Sequence, residues 1–247
     1  MMERDDGREG LPQIVVRIPG SWSSPADLAD SLPPAYRLGR GKLHLPNGER
    51  VEVIPLPPDD EFPAVFASAC RGAPSAADQR TIDNYSVSVC LTGTGGSVEA
   101  AGRMLQAAAA VTRAGGAGVF VDNGAIAHWS GDWIGLASDP DDQDLFSAFV
   151  ATVSSPRELA SVGMHVFGLR DAVIRRSGDE HADLFSILGF LGYTLAPDKT
   201  IVEGDLVGDE GAPCFRLCSE GDQRFPPDSP LSNPYGRWRL LPLVVRG

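Results

Sequence analysis

Hydrophobic and polar positions alternate most clearly in the middle of the chain, where they predict three consecutive elements. Residues 85–91 (YSVSVCL) mix β-branched and apolar side chains and predict a strand. A glycine-rich turn at 92–96 and Ser97 come next, and residues 98–115 are rich in Ala, Leu and Met, which favour a helix. Residues 118–122 (GVFVD) form a second apolar run. This order predicts a central βαβ unit with parallel strands.

The earlier part of the chain predicts three strands and two short helices. The strands are 13–18, 36–45 and 50–56, and the helices are 26–32 and 59–70. Asn47-Gly48 between two alternating runs predicts a hairpin with a type I′ turn.

The later part predicts further strands and helices in irregular alternation. The helices are 142 to about 153 and 180–195, and the strands are 163–169, 172–176, 200–207, 214–218 and 237–245. We therefore expect an α+β fold with mixed sheets, helices packed on one face, and the βαβ-like unit at its centre.

A small, polar segment suggests how the chain is divided. Residues 71–80 (RGAPSAADQR) have the composition of a linker. We expect an N-terminal βαββα subdomain over residues 1–78 and a C-terminal α+β domain over residues 79–247.

Three segments together resemble a known family. They are VTRAGGAGVFVDNGAIAHW at 111–129, GMHVFGLRDAVI at 163–174 and NPYGRWRL at 233–240. As a set they are similar to the bacterial domain-of-unknown-function family numbered 4261, over about residues 85–240. The resemblance implies an α+β fold and a boundary near residue 80. It implies no catalytic residues, because the family has no agreed activity.

Composition and charge exclude some classes of function. The 247 residues are 43% hydrophobic and 22% charged, which is enough to bury a core. The net charge is −12, with 12 basic and 21 acidic residues after position 80. Nucleic-acid binding needs clustered Lys and Arg, so we expect no nucleic-acid partner. An acidic chain suits a basic protein partner.

The sequence predicts a cytoplasmic protein without a membrane segment. Residues 1–10 (MMERDDGREG) lack the apolar stretch of a secretory signal, and no apolar run reaches 18 residues. Cys214 and Cys218 lie four apart on a predicted strand, about 13 Å from each other, too far for a disulfide or a shared metal. We expect free thiols.

The glycine turn is the first candidate binding site. Gly93, Gly95, Gly96 and Ser97 stand at the start of a helix, where backbone N–H groups can bind phosphate. Val98 occupies the third glycine position of a dinucleotide fingerprint, so the motif is incomplete. The alternative is a purely structural strand-to-helix turn, which the incomplete motif favours.

The second candidate is the segment after the second central strand. Its members are polar and aromatic: Asp122, Asn123, His128, Trp129 and Trp133. Asp122 stands where a dinucleotide-binding protein places its ribose-binding acid. A loop of this kind often binds ligands, and tryptophan is common at interaction hot spots. The alternative is that the tryptophans cover one end of the core.

Metal and cofactor chemistry has no local support. The spacings among His44, His128, His165 and His181 match no metal motif, so we expect no metal and no cofactor. His165 is expected on an apolar strand, hydrogen-bonded in the core, although with His128 and Asp122 it could form an acid–base cluster. A further acidic group flanks a predicted turn and is expected to be solvated: Glu203, Asp205, Asp209 and Glu210.

Two hypotheses of function remain. The first is a non-enzymatic protein that binds another macromolecule, in a toxin-neutralising or accessory role, through an exposed aromatic loop and an acidic surface. The second is a small-molecule or nucleotide-binding enzyme that uses the 93–97 turn and the 122–133 loop. A concave cavity shared by Gly95, Asp122 and His128 would favour the enzyme, and tryptophans on a flat or convex face would favour the binder.

Overall fold

The computed structural model describes residues 11–196, 200–208 and 215–243, and these form two β-sheets with helices packed around them. The strands are β1 Gln13–Gly20, β2 Arg37–Gly39, β3 Lys42–His44, β4 Arg50–Leu56, β5 Val87–Thr94, β6 Gly118–Val121, β7 Ile126–Trp129, β8 Ala151–Ser154, β9 Glu158–Val162, β10 Asp171–Arg175, β11 Leu206–Val207, β12 Phe215–Glu220 and β13 Arg237–Pro242. The helices are α1 Pro25–Ser31, α2 Phe62–Ala69, α3 Ala76–Asp83, α4 Val98–Arg113, α5 Ser130–Leu136, α6 Asp142–Phe149 and α7 Glu180–Leu195, with a 3₁₀ helix at Met164–Phe167. The predicted α+β class is confirmed.

The central unit is a split βαβ motif. The first sheet has the order β2-β3-β4-β5-β1-β6-β7, and its pairs are antiparallel. Strand β1 lies between β5 and β6 and runs antiparallel to both, with Arg17 opposite Cys90 on one side and Phe120 on the other. Strands β5 and β6 are therefore parallel but not hydrogen-bonded to each other, because the first strand of the chain inserts between them.

Strand pairing joins the two parts that the sequence suggested were separate. Strands β1 and β4, which precede residue 78, hydrogen-bond to β5, which follows it. The segment 71–80 also differs from the predicted linker, because α3 begins at Ala76 and has a capping box between Ser75 and Asp78. Residues 11–78 thus form no sheet of their own.

Helices cover both faces of the first sheet, not one face as expected. Helix α4 packs on the face where Ile14, Val16 and Ile18 of β1 point, and its Ala-rich side is buried there. Helix α2 lies on the other face, where Phe62 and Phe66 pack with Phe120. Alternate residues of β6 therefore enter different cores.

The second sheet has the order β11-β12-β13-β10-β9-β8 and is mixed, because β10 and β13 are parallel. Helix α7 packs on β9 and β10. Its buried Ile187 and Leu191 join the same hydrophobic core as α4, so one core links the two sheets. No helix in the described ranges is long and apolar enough to cross a membrane.

Several local predictions were wrong in detail. Strands β2 and β3 replace the single predicted strand 36–45. The type I′ turn was predicted at Asn47-Gly48, but only Gly48 has a positive φ there. The turn with two residues at positive φ is Arg40-Gly41, between β2 and β3. The predicted helix from 142 ends at Phe149. Residues 164–167 form a 3₁₀ helix, because Gly163 and Gly168 both adopt left-handed backbone and interrupt the predicted strand.

Candidate functional site

The glycine turn at 92–96 lies at the end of β5 and packs against Pro12 and the 3₁₀ helix. The N–H of Gly95 donates to Pro12 O at 2.7 Å, and that of Gly96 donates to Val166 O at 2.8 Å. A Cβ on Gly95 would lie 2.9 Å from Ile14 Cγ1. Ser97 caps α4 by accepting from Ala100 N, and α4 begins at Val98 as the sequence predicted. Because the N–H groups at 95 and 96 are already paired, the turn gives no support to a phosphate site there.

Gly168, at the end of the 3₁₀ helix, packs against Gly96 of the glycine turn. Its φ is +79°, and a Cβ there would lie 2.5 Å from Gly96 O. We expect Gly168→Ala to lower the free energy of unfolding by about 2–3 kcal/mol through left-handed strain and overpacking. Gly102→Ala is the control, because its Cβ would meet nothing within 4 Å in the middle of α4, and it should be stabilising by up to about 1 kcal/mol. Urea denaturation measures the free energy of unfolding of both variants. Equal effects would show that the close approach of Gly168 to Gly96 O does not exclude a side chain there.

Asp122 belongs to a structural ion pair and not to a cluster with the histidines. Its carboxylate accepts from Arg17 Nε at 2.9 Å. The Arg17 guanidinium lies 4.9 Å and 5.0 Å from the ring centres of Phe62 and Phe120. Burial raises the pKa of Asp122, and the Arg17 hydrogen bond and charge oppose that shift. The pair therefore covers the α2 side of the sheet.

Asn123 is buried and joins three segments of the chain. Its Oδ1 accepts from Val15 N at 2.8 Å, and its Nδ2 donates to Gln13 O at 2.8 Å. The same Nδ2 lies 3.0 Å from His165 Nε2 and 3.2 Å from Pro230 O. The sequence singled out Asn123 and His165 separately, and the structure brings them into direct contact.

His128 lies apart from this pair, in β7. Its ring centre is 5.5 Å from that of Trp133, and its Nε2 is buried with no hydrogen-bond partner among the described residues. Burial lowers the pKa of His128 to about 4. None of three pockets lined by described residues combines Gly95, Asp122 and His128, so these pockets give the enzyme hypothesis no support.

The aromatic segment is buried, contrary to the expected exposed loop. A turn with Ala125 at φ +49° is followed by β7, which hydrogen-bonds to β6, and then by α5. Trp129 is 3% exposed and donates from Nε1 to Gly72 O at 2.9 Å. Trp133 is fully buried and donates to Leu105 O at 3.2 Å. The tryptophans therefore lie on neither a flat nor a convex surface, and they stabilise the core.

Sequence reasoning missed a buried polar network at the second sheet. Asp171 is fully buried and accepts from Arg224 Nη2 at 3.2 Å, Asn233 Nδ2 at 3.1 Å and Ser161 Oγ at 3.1 Å. Burial raises the pKa of Asp171 to about 6 although the Arg224 charge opposes the shift. Arg224 also pairs with Asp222. The network anchors the chain between β12 and β13, and its members are too far apart in sequence to form a recognisable motif.

Of the four acids expected to be solvated, Glu203 is exposed and Asp205 is half-buried, and both bond locally. Glu203 accepts from Ser219 N and Asp205 accepts from Val202 N. Asp209, Glu210 and Cys214 lie outside the described residues. Cys70, Cys90 and Cys218 are free thiols.

A second missed feature is the outer face of α7. Phe185 is 70% exposed, Tyr193 is 44% exposed and Leu188 is 38% exposed. Gly189 and Gly192 lie on the same exposed side. From residue 184 to residue 195 the helix carries no charged side chain. The period of this pattern was visible in the sequence, but which apolar residues face outward was not.

The comparisons add no relative. No family model, curated protein or solved structure matches the chain. Within the described residues, no three His, Cys, Asp or Glu side chains are grouped as a metal site. The resemblance to the family of unknown function stays a prediction, and the function has to follow from the geometry.

Proposed function

We propose that this chain is a non-enzymatic protein that binds another protein, and that the outer face of α7 is its docking surface. The exposed apolar face of that helix is the observation that carries the proposal. Phe185, Leu188 and Tyr193 recur at helical spacing, in the pattern of a helix that enters an apolar groove. Exposed apolar patches of this kind mark interaction sites.

Charge supports a basic partner. Helix α6 packs beside α7, and acids cluster at its N-terminus: Asp139, Asp141, Asp142 and Asp144. None of these carboxylates forms an ion pair with a basic side chain in the part of the chain that the structure describes. With a net charge of −12, the chain attracts positive surfaces over long range. We therefore infer a partner whose apolar groove is rimmed by Lys and Arg.

The test compares a docking-face variant with a matched control. Phe185→Ser with Leu188→Ser removes apolar surface from α7 without changing charge. Val65→Ser removes an exposed apolar residue from α2, which is 46% exposed on a different helix. We expect the native chain and the Val65 variant to retain the same basic protein from cell lysate, and the α7 variant to lose it. The recovered pair should reconstitute from purified components, and 1 M salt should slow its association.

Other outcomes would overturn the proposal. Light scattering should find the purified chain monomeric, and a dimer dissociated by the α7 variant would mean that a second copy covers the helix. Equal retention by the native chain and the α7 variant would place binding elsewhere. A co-purifying metabolite without any protein would favour the small-molecule hypothesis.

A further inference from the structure

Three basic side chains lie side by side on one face of the first sheet. Arg37 of β2 is directly opposite His44 of β3, and His44 is directly opposite Arg50 of β4. Residues paired in this way point to the same face, and neighbouring strands are about 4.8 Å apart, so this basic row spans about 10 Å. All three side chains are exposed. Lys42, two residues before His44 on β3, points to the same face.

The basic row has no counter-charge within the described part of the chain. Arginines elsewhere pair with carboxylates, but no ion pair or side-chain hydrogen bond to a described residue is formed by Arg37, Lys42, His44 or Arg50. Glu52 is the only acid in the sequences of β2, β3 and β4. Basic groups set opposite each other without an acid weaken a sheet, so an external anion would relieve that effect.

A pocket of about 640 Å³ begins at Arg50, at one end of the basic row. The pairing of β4 with β5 ends at Glu52 and Thr92, although β4 begins at Arg50 and β5 continues to Thr94. Residues 50–51 and 93–94, beyond that last pair, all line the pocket. Its volume is within the range of small-molecule sites, about 300–1,000 Å³.

The lining of the pocket is polar. Thr92 is opposite Glu52 and Gln13 is opposite Thr94, so these side chains point to the same face as Arg50. They offer hydroxyl, amide and carboxylate groups for hydrogen bonds. The pocket therefore suits a polar molecule and not an apolar one.

The basic row and the pocket together decide the class of ligand. A carboxylate carries one negative charge, whereas a di- or triphosphate group carries several in a small volume and can contact both arginines. The planar fork of an arginine side chain also fits phosphate oxygens. A long polyanion such as nucleic acid would be repelled beyond this small face, because the chain has a net charge of −12.

We propose that this face of the first sheet binds a small molecule with a di- or triphosphate group. Arg37, His44 and Arg50 contact the phosphates, and the polar remainder of the molecule occupies the pocket beside Arg50. The outer face of α7 takes no part in this site, so the inference is independent of the proposed docking surface.

Isothermal titration calorimetry at pH 7 and constant ionic strength tests the native chain with inorganic triphosphate, inorganic phosphate and uridine triphosphate. We expect one saturable site for triphosphate. Phosphate should bind about ten-fold more weakly, because it reaches fewer of the basic groups. Uridine triphosphate should bind at least as tightly as triphosphate, because the pocket has room for the nucleoside.

Variants locate the site. Arg37→Gln with Arg50→Gln should weaken triphosphate binding by about ten-fold or more. Arg175→Gln with Arg216→Gln is the matched control, because it removes two exposed strand arginines from the second sheet, and the affinity should stay within about two-fold. Glu52→Gln should act in the opposite direction and tighten binding, since it removes the acid beside the basic row.

Several results would overturn the proposal. It is wrong if triphosphate gives no saturable heat, if phosphate binds as tightly as triphosphate, or if the two double variants lose the same affinity. It is also wrong if Glu52→Gln weakens binding. A single-stranded uridine oligonucleotide that binds more tightly than uridine triphosphate would show that a macromolecule, and not a small molecule, occupies this face.

Discussion

Trp133→Ala is expected to cost about 3–5 kcal/mol of the free energy of unfolding, the usual range for deleting a buried tryptophan. The side chain is fully buried, its ring centre lies 5.7 Å from that of Phe149, and its Nε1 donates to Leu105 O. Truncation to alanine removes buried apolar surface, leaves a cavity and leaves Leu105 O without this hydrogen-bond donor. Urea or guanidinium unfolding of the purified protein measures the loss.

Phe185→Ala is the control for this prediction. Phe185 is 70% exposed on α7, so its truncation should change the stability of the free chain by less than about 0.5 kcal/mol. The two variants therefore separate a core aromatic residue from a surface one. If Trp133→Ala were as stable as Phe185→Ala, Trp133 would not be the core residue that the structure places there.

Acidification from pH 7 to pH 4 is expected to destabilise the protein through its two buried histidines. Burial lowers the pKa of His128 and of His165 to about 4, whereas an unfolded histidine has a pKa of about 6.5. Each neutral histidine contributes stability that is present above pH 6.5 and is lost as the pH falls through 4. The loss is about 3 kcal/mol for each ring.

Charged neighbours modify this balance. Against the larger effect of burial, a backbone hydrogen bond to Ala148 and the charge of Asp132 raise the pKa of His128, whereas Arg71 lowers it further. A backbone hydrogen bond to Pro230 and the charge of Asp222 raise the pKa of His165. Asp171 acts in the opposite direction. Its pKa is raised to about 6, so its contribution is present below the unfolded value of about 3.9 and is lost as the pH rises through 6. It offsets roughly half of the histidine effect between pH 4 and pH 6.

Variants isolate the histidine contributions. His165→Gln removes one group that titrates mainly in the unfolded chain between pH 7 and pH 4. The loss of unfolding free energy that this variant shows relative to the native protein should therefore shrink as the pH falls from 7 to 4. Asp171→Asn should instead steepen the acid loss. Denaturant unfolding at a series of pH values measures these slopes, and parallel curves for His165→Gln and the native chain would show that the ring is not held neutral.

Local sequence signals located many elements well. Helix α7 has the predicted ends, 180 and 195. Its apolar spacing lies within the helix and its cap, Asp179, directly precedes it, so both signals are local. Ser24 and Ser97 cap α1 and α4, which begin within one residue of the predicted starts, 26 and 98. These signals depend on residues a few positions apart, which the sequence shows directly.

Contacts between distant residues were beyond local patterns. The insertion of β1 between β5 and β6 pairs residues 67 to 105 positions apart, and no turn motif predicts it. That insertion removes the predicted boundary near residue 78. The same limit applies to the ion pair of Asp171 and Arg224, which lie 53 positions apart in the sequence.

The sequence by itself determined the α+β class, the acidic charge, the start of α4 and both ends of α7. Only the tertiary structure decided which apolar groups are exposed. Trp129 and Trp133 became core because β7 pairs with β6, while Phe185 stays outside because α7 packs through Ile187 and Leu191. Burial depends on what covers a side chain, and in this fold the covering elements come from distant parts of the chain.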